Sequence, residues 1–199
     1  EGKAEYNGYT LEIVDLPGTY SLSSRALDEE LASEFLRNEK PDAVVNIVDA
    51  AHLERNLYLT LQLIELGCPL ILALNMNKYA EAEGFVIDTK KLSDMLGVPV
   101  VKIEAIDKTG RDDLLKEIIA KPAPAKKLPH YFDESEEHLG EIAKTPADRF
   151  DAIFALLNKT EGEPAEITAT RKHIETVCGA EINEVVADDS VIIGSSGSL

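Results

Sequence analysis

LEIVDLPGTYS, residues Leu11–Ser21, is the stretch that decides the fold class of this chain. An apolar strand pattern ends in Asp15-Leu16-Pro17-Gly18, and polar residues follow it. This is how doubly wound α/β proteins that bind nucleotides present a carboxylate to a metal ion and a backbone N–H to a terminal phosphate. Taken alone, D-x-x-G is weak evidence, because Pro-Gly also marks an ordinary turn that binds nothing. Its weight depends on the segments that follow.

Downstream of this motif, short apolar β-branched runs alternate with amphipathic helical patterns. Strands are predicted over residues 9–14, 43–48, 69–75 and 98–103. Helices are predicted over residues 28–38, 53–66 (with Gly67 as C-cap), 89–96 and 110–120. Short connections between alternating elements imply parallel strands joined by right-handed crossovers. We predict an α/β fold with a mostly parallel, doubly wound sheet.

The alternation breaks near Lys121, where KPAPAKKLP has the composition of a linker. The predicted domains are therefore an α/β domain over residues 1–121, a linker over 122–128 and a small, acidic, all-helical domain over 129–190. Its helices are predicted over residues 132–144, 147–158 and 166–178. The sequence leaves the status of the tail, residues 191–199, open.

Composition limits the partners. The 199 residues carry a formal net charge of -17, which argues against nucleic acid and against anionic membrane surfaces, since both attract basic patches. Two cysteines support neither a disulfide framework nor a zinc site. The chain lacks a run of 18 apolar residues, so we expect this segment to be soluble. A soluble part of a larger membrane protein fits the same observation.

Two later strand ends carry residues typical of guanine recognition. In the N-x-x-D motif the asparagine orients the loop and the aspartate accepts hydrogen bonds from the base. Here Lys78 occupies the aspartate position, and its ammonium group is a donor only. Loss of such an acceptor typically costs about 2–4 kcal/mol of base discrimination, and Asn77 is an imperfect substitute one place early. The candidate residues at these two strand ends are Asn75, Met76, Asn77, Lys78, Glu104 and Ala105.

No G-x-x-x-x-G-K-[ST] loop, which would hold the α- and β-phosphates, occurs in the 199 residues. In P-loop GTPases this loop precedes D-x-x-G, so we expect it upstream of Glu1. The chain is therefore interpreted as an N-terminally truncated, P-loop GTPase-like piece of a longer protein.

Together these segments resemble the ferrous iron transport protein B family, over residues 1–119. EGKAEYNGYTLEIVDLPGTYSLS is similar to the family's strand pair and third GTPase motif. A second run is distinctive of that family rather than of GTPases at large: Asp49, Ala50, Leu53, Glu54, Arg55, Asn56 and Leu57. The acidic helical segment matches the position of the family's helical regulatory domain. The upstream phosphate loop and switch I are the parts that this chain lacks.

The resemblance implies a GTP-binding switch that uses GTP or GDP with Mg²⁺ and hydrolyses GTP slowly. It implies a following membrane-spanning domain that passes Fe²⁺, a place on the cytoplasmic face of the cell membrane, and homo-oligomeric association. By resemblance, Asp15 would bind Mg²⁺ through water, and Asp15–Gly18, Asn75–Lys78 and Glu104–Ala105 would bind guanine nucleotide. No catalytic residue is assigned, since Thr19 stands where Ras-like proteins carry a glutamine. This piece alone is expected to be inactive.

Two other hypotheses remain open. Lys78 and the missing loop also fit a degenerate, non-hydrolysing module that acts only through protein contacts. A GTPase of tRNA modification or ribosome assembly is disfavoured by the Leu53–Asn56 stretch and by the acidic composition.

Overall fold

The computed structural model describes residues 1–19, 21–22, 27–128, 146–157, 159, 161–178 and 181. The described strands are Gly2–Tyr6 (β1), Tyr9–Ile13 (β2), Val44–Asp49 (β3), Leu70–Asn75 (β4) and Val100–Lys102 (β5). The described helices are Leu27–Glu39 (α1), Leu53–Glu65 (α2), Asn77–Ala82 (α3), Thr89–Leu96 (α4), Arg111–Ile119 (α5), Pro146–Leu157 (α6) and Ala165–Cys178 (α7). A 3₁₀ turn, Ala50–His52, leads into α2. The helix predicted over 132–144 and the tail 191–199 lie outside the described residues.

A parallel three-stranded sheet, in the order β3-β4-β5, forms the centre of the fold. The residues of β4 from Leu70 to Leu74 are all 0% exposed, so this strand is covered on both faces. A strand buried on both sides reads as a continuous apolar run, as LILALN does. The predicted parallel sheet is confirmed.

The strand that precedes Asp15 lies in a second, antiparallel sheet. β1 and β2 pair from Gly2↔Ile13 to Tyr6↔Tyr9. Asn7 (φ 48°) and Gly8 (φ 81°) form the turn between them, and two positive φ angles are what a type I′ hairpin turn requires. The described strands thus form two separate sheets, and β2 is hydrogen-bonded to β1 rather than to β3. The prediction located this strand, and the strand pair that the family resemblance implied is present as β1 and β2.

Helix α2 packs against β3 and β4. It ends one residue earlier than the prediction, with Leu66 at the C-cap and the left-handed Gly67 (φ 76°) following it. The Gly67 N–H donates to the Ile64 carbonyl (2.9 Å) and the Cys68 N–H to the Leu63 carbonyl (3.1 Å). This is the Schellman pattern, which satisfies the last carbonyl groups of a helix. The chain can then turn directly into β4.

Two differences from the prediction concern short elements. β5 spans three residues instead of the predicted 98–103, because after it the Glu104 N–H bonds to Thr109 within the following loop. The six-residue helix α3 was not predicted at all. Its only local signal is the left-handed Met76 (φ 62°) that precedes it, a conformation that sequence does not reveal for a methionine.

The two C-terminal helices share one apolar core with the rest of the fold. Phe150, Ile153 and Leu156 of α6 belong to the same buried cluster as residues of α2 and β4. The guanidinium of Arg37, on α1, pairs with Asp151 and stands 4.9 Å from the centroid of the Phe150 ring. None of the described helices has the length and apolar character that a membrane crossing requires.

Candidate nucleotide-binding site

Two loops meet at the carboxyl edge of the parallel sheet, one after β4 and one after β5. The Ala105 N–H donates to Oδ1 of Asn75 (3.1 Å). In the opposite direction, Oε1 of Glu104 accepts from the Lys78 N–H (3.0 Å). The structure therefore brings together Asn75–Lys78 and Glu104–Ala105, which lie about thirty residues apart in sequence. We call this pair of loops the base loops.

Asn77 anchors the base loops from inside the fold. Its side chain is 7% exposed, and Nδ2 donates to the carbonyl groups of Leu74 (2.7 Å) and Ile103 (3.0 Å). The amide thus ties together the chain segments that leave β4 and β5. Oδ1 of Asn77 is buried without a hydrogen-bond partner among the residues described here. The neighbouring Met76 points outward and is 43% exposed.

Lys78, at the position where the motif has a carboxylate, forms an ion pair with an aspartate of the other base loop. Its Nζ lies 2.5 Å from Oδ2 of Asp107, on the other base loop. Oδ1 of Asp107 accepts from the Thr109 N–H (3.0 Å). The Lys78 ammonium first, and then Thr109, hold the pKa of the Asp107 carboxyl well below its usual range. The same pair raises the pKa of Lys78. Both groups therefore remain charged at neutral pH.

Asp107 is the residue that the sequence analysis missed. Its signal was an acidic residue two positions after Ala105 in IEAIDKTG, which has no meaning until the two loops are known to touch.

Gly110 fixes the shape of the second base loop. Its φ angle is +75°, and a Cβ added there would lie 2.0 Å from the Lys102 carbonyl oxygen. Only glycine fits so close an approach of backbone to backbone. The loop is closed above it by the hydrogen bond from the Glu104 N–H to the Thr109 carbonyl (2.9 Å).

The D-x-x-G segment, Asp15–Gly18, follows β2 directly. Asp15 and Gly18 are exposed, whereas Leu16 packs against the core. Four residues after Gly18, the buried Leu22 donates its N–H to Oε1 of Gln62 on α2 (2.6 Å). Among the described residues, no hydrogen bond joins Asp15–Gly18 to the base loops. The sequence predicted these residues, but the structure joins only the second and third segments to each other.

Metal ligation by protein groups is sparse. No group of three or more His, Cys, Asp or Glu side chains in the described part of the chain could hold a metal ion. Within the described ranges the exposed Asp15 carboxylate has no second carboxylate grouped with it, and a single carboxylate suits Mg²⁺, which keeps several waters and takes one or two protein ligands.

A central parallel sheet flanked by helices, with joined loops at its carboxyl edge, is the architecture of open α/β proteins that bind ligands at this edge. The P-loop GTPase-like G domains are one such class, and the solved structures similar to this chain belong to it. The family model described as ferrous iron transport protein B matches residues 1–118. The chain belongs to this family.

Individual relatives agree with this assignment. The chain is 47% identical over 112 residues to an Fe(2+) transport protein A/Fe(2+) transporter FeoB fusion protein of Porphyromonas gingivalis. That match covers 56% of this chain and 13% of the relative, so the chain corresponds to a small part of it. A GDP-bound mutant of S. thermophilus NFeoB has a TM-score of 0.81 and 28% identity, covering 99% of this chain and 89% of that one. The cytosolic domain of L. pneumophila FeoB has a TM-score of 0.81 and 30% identity, covering 98% and 83%.

Proposed function

We propose that this chain is the guanine-nucleotide-binding switch of a ferrous iron membrane transporter and couples GTP binding and hydrolysis to Fe²⁺ uptake. The observation that carries the proposal is the pairing of the base loops through Asn75 and Ala105 at the carboxyl edge of the sheet. Open α/β sheets bind their ligands at this edge. Membership of the ferrous iron transport protein B family and the likeness to a GDP-bound relative support the same ligand.

In this proposal the base loops hold the nucleotide base and Asp15–Gly18 respond to the terminal phosphate. Asp15 would hold Mg²⁺ through water, where the ion would neutralise phosphate charge. Gly18 would donate its N–H to the γ-phosphate. Apart from the two chain neighbours of Gly18, no atom of the described residues lies within 4 Å of the place where a Gly18 Cβ would stand. Packing therefore does not explain glycine at this position, whereas close approach of a phosphate would.

The response would pass from Gly18 to helix α2. Leu22 lies between them in sequence, and its N–H bond to Gln62 fixes one end of the responding segment on α2. Ordering of a segment by a terminal phosphate is a familiar switching device. Glu65, one turn further along α2, pairs with Arg149 of α6, so a shift of α2 would reach the C-terminal helices.

The wider organisation is also part of the proposal. Residues 1–121 would form the G domain, 122–128 the linker and 129–190 an all-helical regulatory domain. The partner would be the membrane-spanning domain of the same transporter, with this segment on the cytoplasmic face of the membrane. Association into homo-oligomers would accompany transport.

One observation favours a second candidate, a degenerate module that acts only through protein contacts. The motif position for the base-recognising carboxylate holds Lys78, which is a hydrogen-bond donor only. Such a module would bind no nucleotide.

Calorimetric titration of the full-length natural protein with GDP and with a non-hydrolysable GTP analogue, with and without Mg²⁺, separates the two candidates. We expect guanine nucleotide binding that strengthens with Mg²⁺, and no binding at millimolar nucleotide would support the degenerate module. The variant Gly18→Ala should melt within about 1 °C of the wild type, because its side chain meets open space. It should keep its GDP affinity and lose the structural difference between the GDP and GTP states. A matched control is Gly2→Ala, which also meets open space. Gly2 pairs with Ile13, just before the motif, so this variant shows whether a methyl group beside the motif has the same effect as one on it.

A further inference from the structure

Guanine presents two donors on one edge, the N1–H and the 2-amino group, and a selective site must offer acceptors to both. Asn77 cannot supply them: its Oδ1 has no hydrogen-bond partner among the described residues, but it is buried, and the two Nδ2 bonds hold the amide inside the fold, where a base cannot reach it. Lys78 has no acceptor atom. If the chain selects guanine, the acceptor must come from a residue outside the four-residue motif.

We infer that Asp107 supplies this acceptor, delivered from the neighbouring loop and held in place by Lys78. The inference rests on the proposed function and names the residue that determines base specificity. Lys78 Nζ lies 2.5 Å from Oδ2 of Asp107, so the Asp107 carboxylate is one lysine side chain away from the motif position. The acceptor would then stand on the second base loop instead of at the motif position.

The contacts of Asp107 leave it capacity for the base. An ionised carboxylate offers about four lone-pair sites. The described contacts use Oδ2 for Lys78 and Oδ1 for the Thr109 N–H, and the Thr109 hydroxyl is a third donor to the carboxylate. One site remains by this count, and the Thr109 hydroxyl, which can rotate toward water, can release a second. The Asp107 side chain is 44% exposed, so a ligand can reach it. These bonds also fix the direction of the carboxylate, which lowers the entropy cost of ordering the side chain when a base binds.

Two exposed apolar side chains lie near the Lys78–Asp107 pair in sequence, one on each base loop. Met76 is 43% exposed and Ile106 is 98% exposed. Polar and charged residues otherwise dominate these loops, and apolar side chains left in water next to a directed carboxylate suit the two faces of a planar purine. Ile106 directly precedes Asp107, and Met76 lies two residues before Lys78. The base would thus contact apolar groups on its faces and the carboxylate on its edge.

The test compares GDP with IDP, which lacks the 2-amino group, by titration of the full-length natural protein and its Asp107→Ala variant. A charged hydrogen bond contributes about 1.5–3 kcal/mol, which corresponds to roughly 10- to 100-fold in affinity. We expect the Asp107→Ala variant to bind GDP roughly 10- to 100-fold more weakly than the wild type. Its affinities for GDP and IDP should then be close to each other. The matched control is Asp113→Ala, which removes another exposed aspartate whose Oδ1 pairs with a lysine, Lys116, at 2.8 Å.

Two further variants distinguish loss of the acceptor from misfolding of the protein. Asp107→Ser keeps an oxygen that can accept from the Thr109 N–H but removes the charge, so it should fold and still lose the GDP preference. The double variant Lys78→Asp with Asp107→Lys exchanges the two charges and should restore the preference for GDP over IDP.

The outcomes are distinct. A wild-type protein that binds GDP, with an unchanged GDP-to-IDP ratio in both Asp107 variants, overturns the inference and leaves the proposed function intact. A wild type that prefers XDP over GDP also overturns it, because the Lys78 ammonium would then be the group facing the base. A wild type that binds none of these nucleotides refutes the proposed function and this inference together.

Discussion

Replacing Arg149 by methionine should destabilise the protein more than any exposed charge removal, because Arg149 neutralises a buried carboxylate. Its Nε lies 2.9 Å from Oε2 of Glu65, and the two side chains are only 10% and 1% exposed. At that distance and an effective dielectric constant of about 20, the attraction is about 6 kcal/mol. Dehydration of both ions offsets much of it. Removing one partner of a buried ion pair, however, leaves the other charge buried without it, and this typically costs about 3–5 kcal/mol of unfolding free energy.

The measurement is urea unfolding followed by circular dichroism for four proteins: wild type, Arg149→Met, Glu65→Met and the double variant. Each single variant should lose about 3–5 kcal/mol of unfolding free energy, and the double variant should recover most of that loss, because two methionines leave no buried charge. The coupling energy of this cycle should therefore exceed about 2 kcal/mol.

The control is Lys90→Met, which breaks the pair of Lys90 with Asp94 on the surface of α4. Its N···O distance is similar, 2.8 Å, but the side chains are 85% and 68% exposed. Exposed pairs contribute about 0–1 kcal/mol. If Arg149→Met costs no more than Lys90→Met, water reaches Glu65 and the reasoning from burial is wrong.

Three further predictions concern single positions. Gly110→Ala should cost more than about 2 kcal/mol, since its Cβ would lie 2.0 Å from a carbonyl oxygen, whereas Gly84→Ala (φ +90°, open space) should cost only about 1 kcal/mol in chemical denaturation. Burial raises the pKa of the Cys68 thiol to about 12, so Cys68 should react with Ellman's reagent at pH 8 only as fast as the protein opens. A Cys68 rate equal to that of a free thiol would contradict this. Partial burial raises the pKa of Asp49, but its hydrogen bonds with His52 and the Ala51 N–H outweigh it, and the net shift is downward. The stability that Asp49 provides should therefore be present above about pH 4 and lost as the pH falls further, and the melting temperature of Asp49→Asn should vary less with pH between 5 and 2.5.

Local signals predicted the central elements well. The bounds of α4, Thr89–Leu96, match the prediction because both ends carry their own signals. Asp88 accepts from the Lys91 N–H (3.0 Å) at the start, and the left-handed Gly97 closes the end. The apolar run of β4 was equally clear, since burial on both faces leaves no polar residue between Leu70 and Leu74.

Contacts between distant residues were not predictable in the same way. The pairing of Lys78 with Asp107 spans 29 positions, and that of Arg149 with Glu65 spans 84. Each residue reads as an ordinary surface charge when it is considered alone. The inward orientation of Asn77 was missed for the same reason, because its two acceptors are backbone carbonyl groups that become neighbours only when β4 and β5 pair.

The Arg149–Glu65 contact also bears on how this chain can be divided for study. Residues 122–128 look like a convenient place to cut, but a shortened protein that ends there would keep Glu65 on α2 and lose the cation opposite it. The cut would also uncover the surface of α2 that α6 packs against, so the excised G domain should be less stable than the intact chain. Nucleotide affinities measured on such a fragment would therefore reflect the loss of Arg149 as well as the binding of the nucleotide.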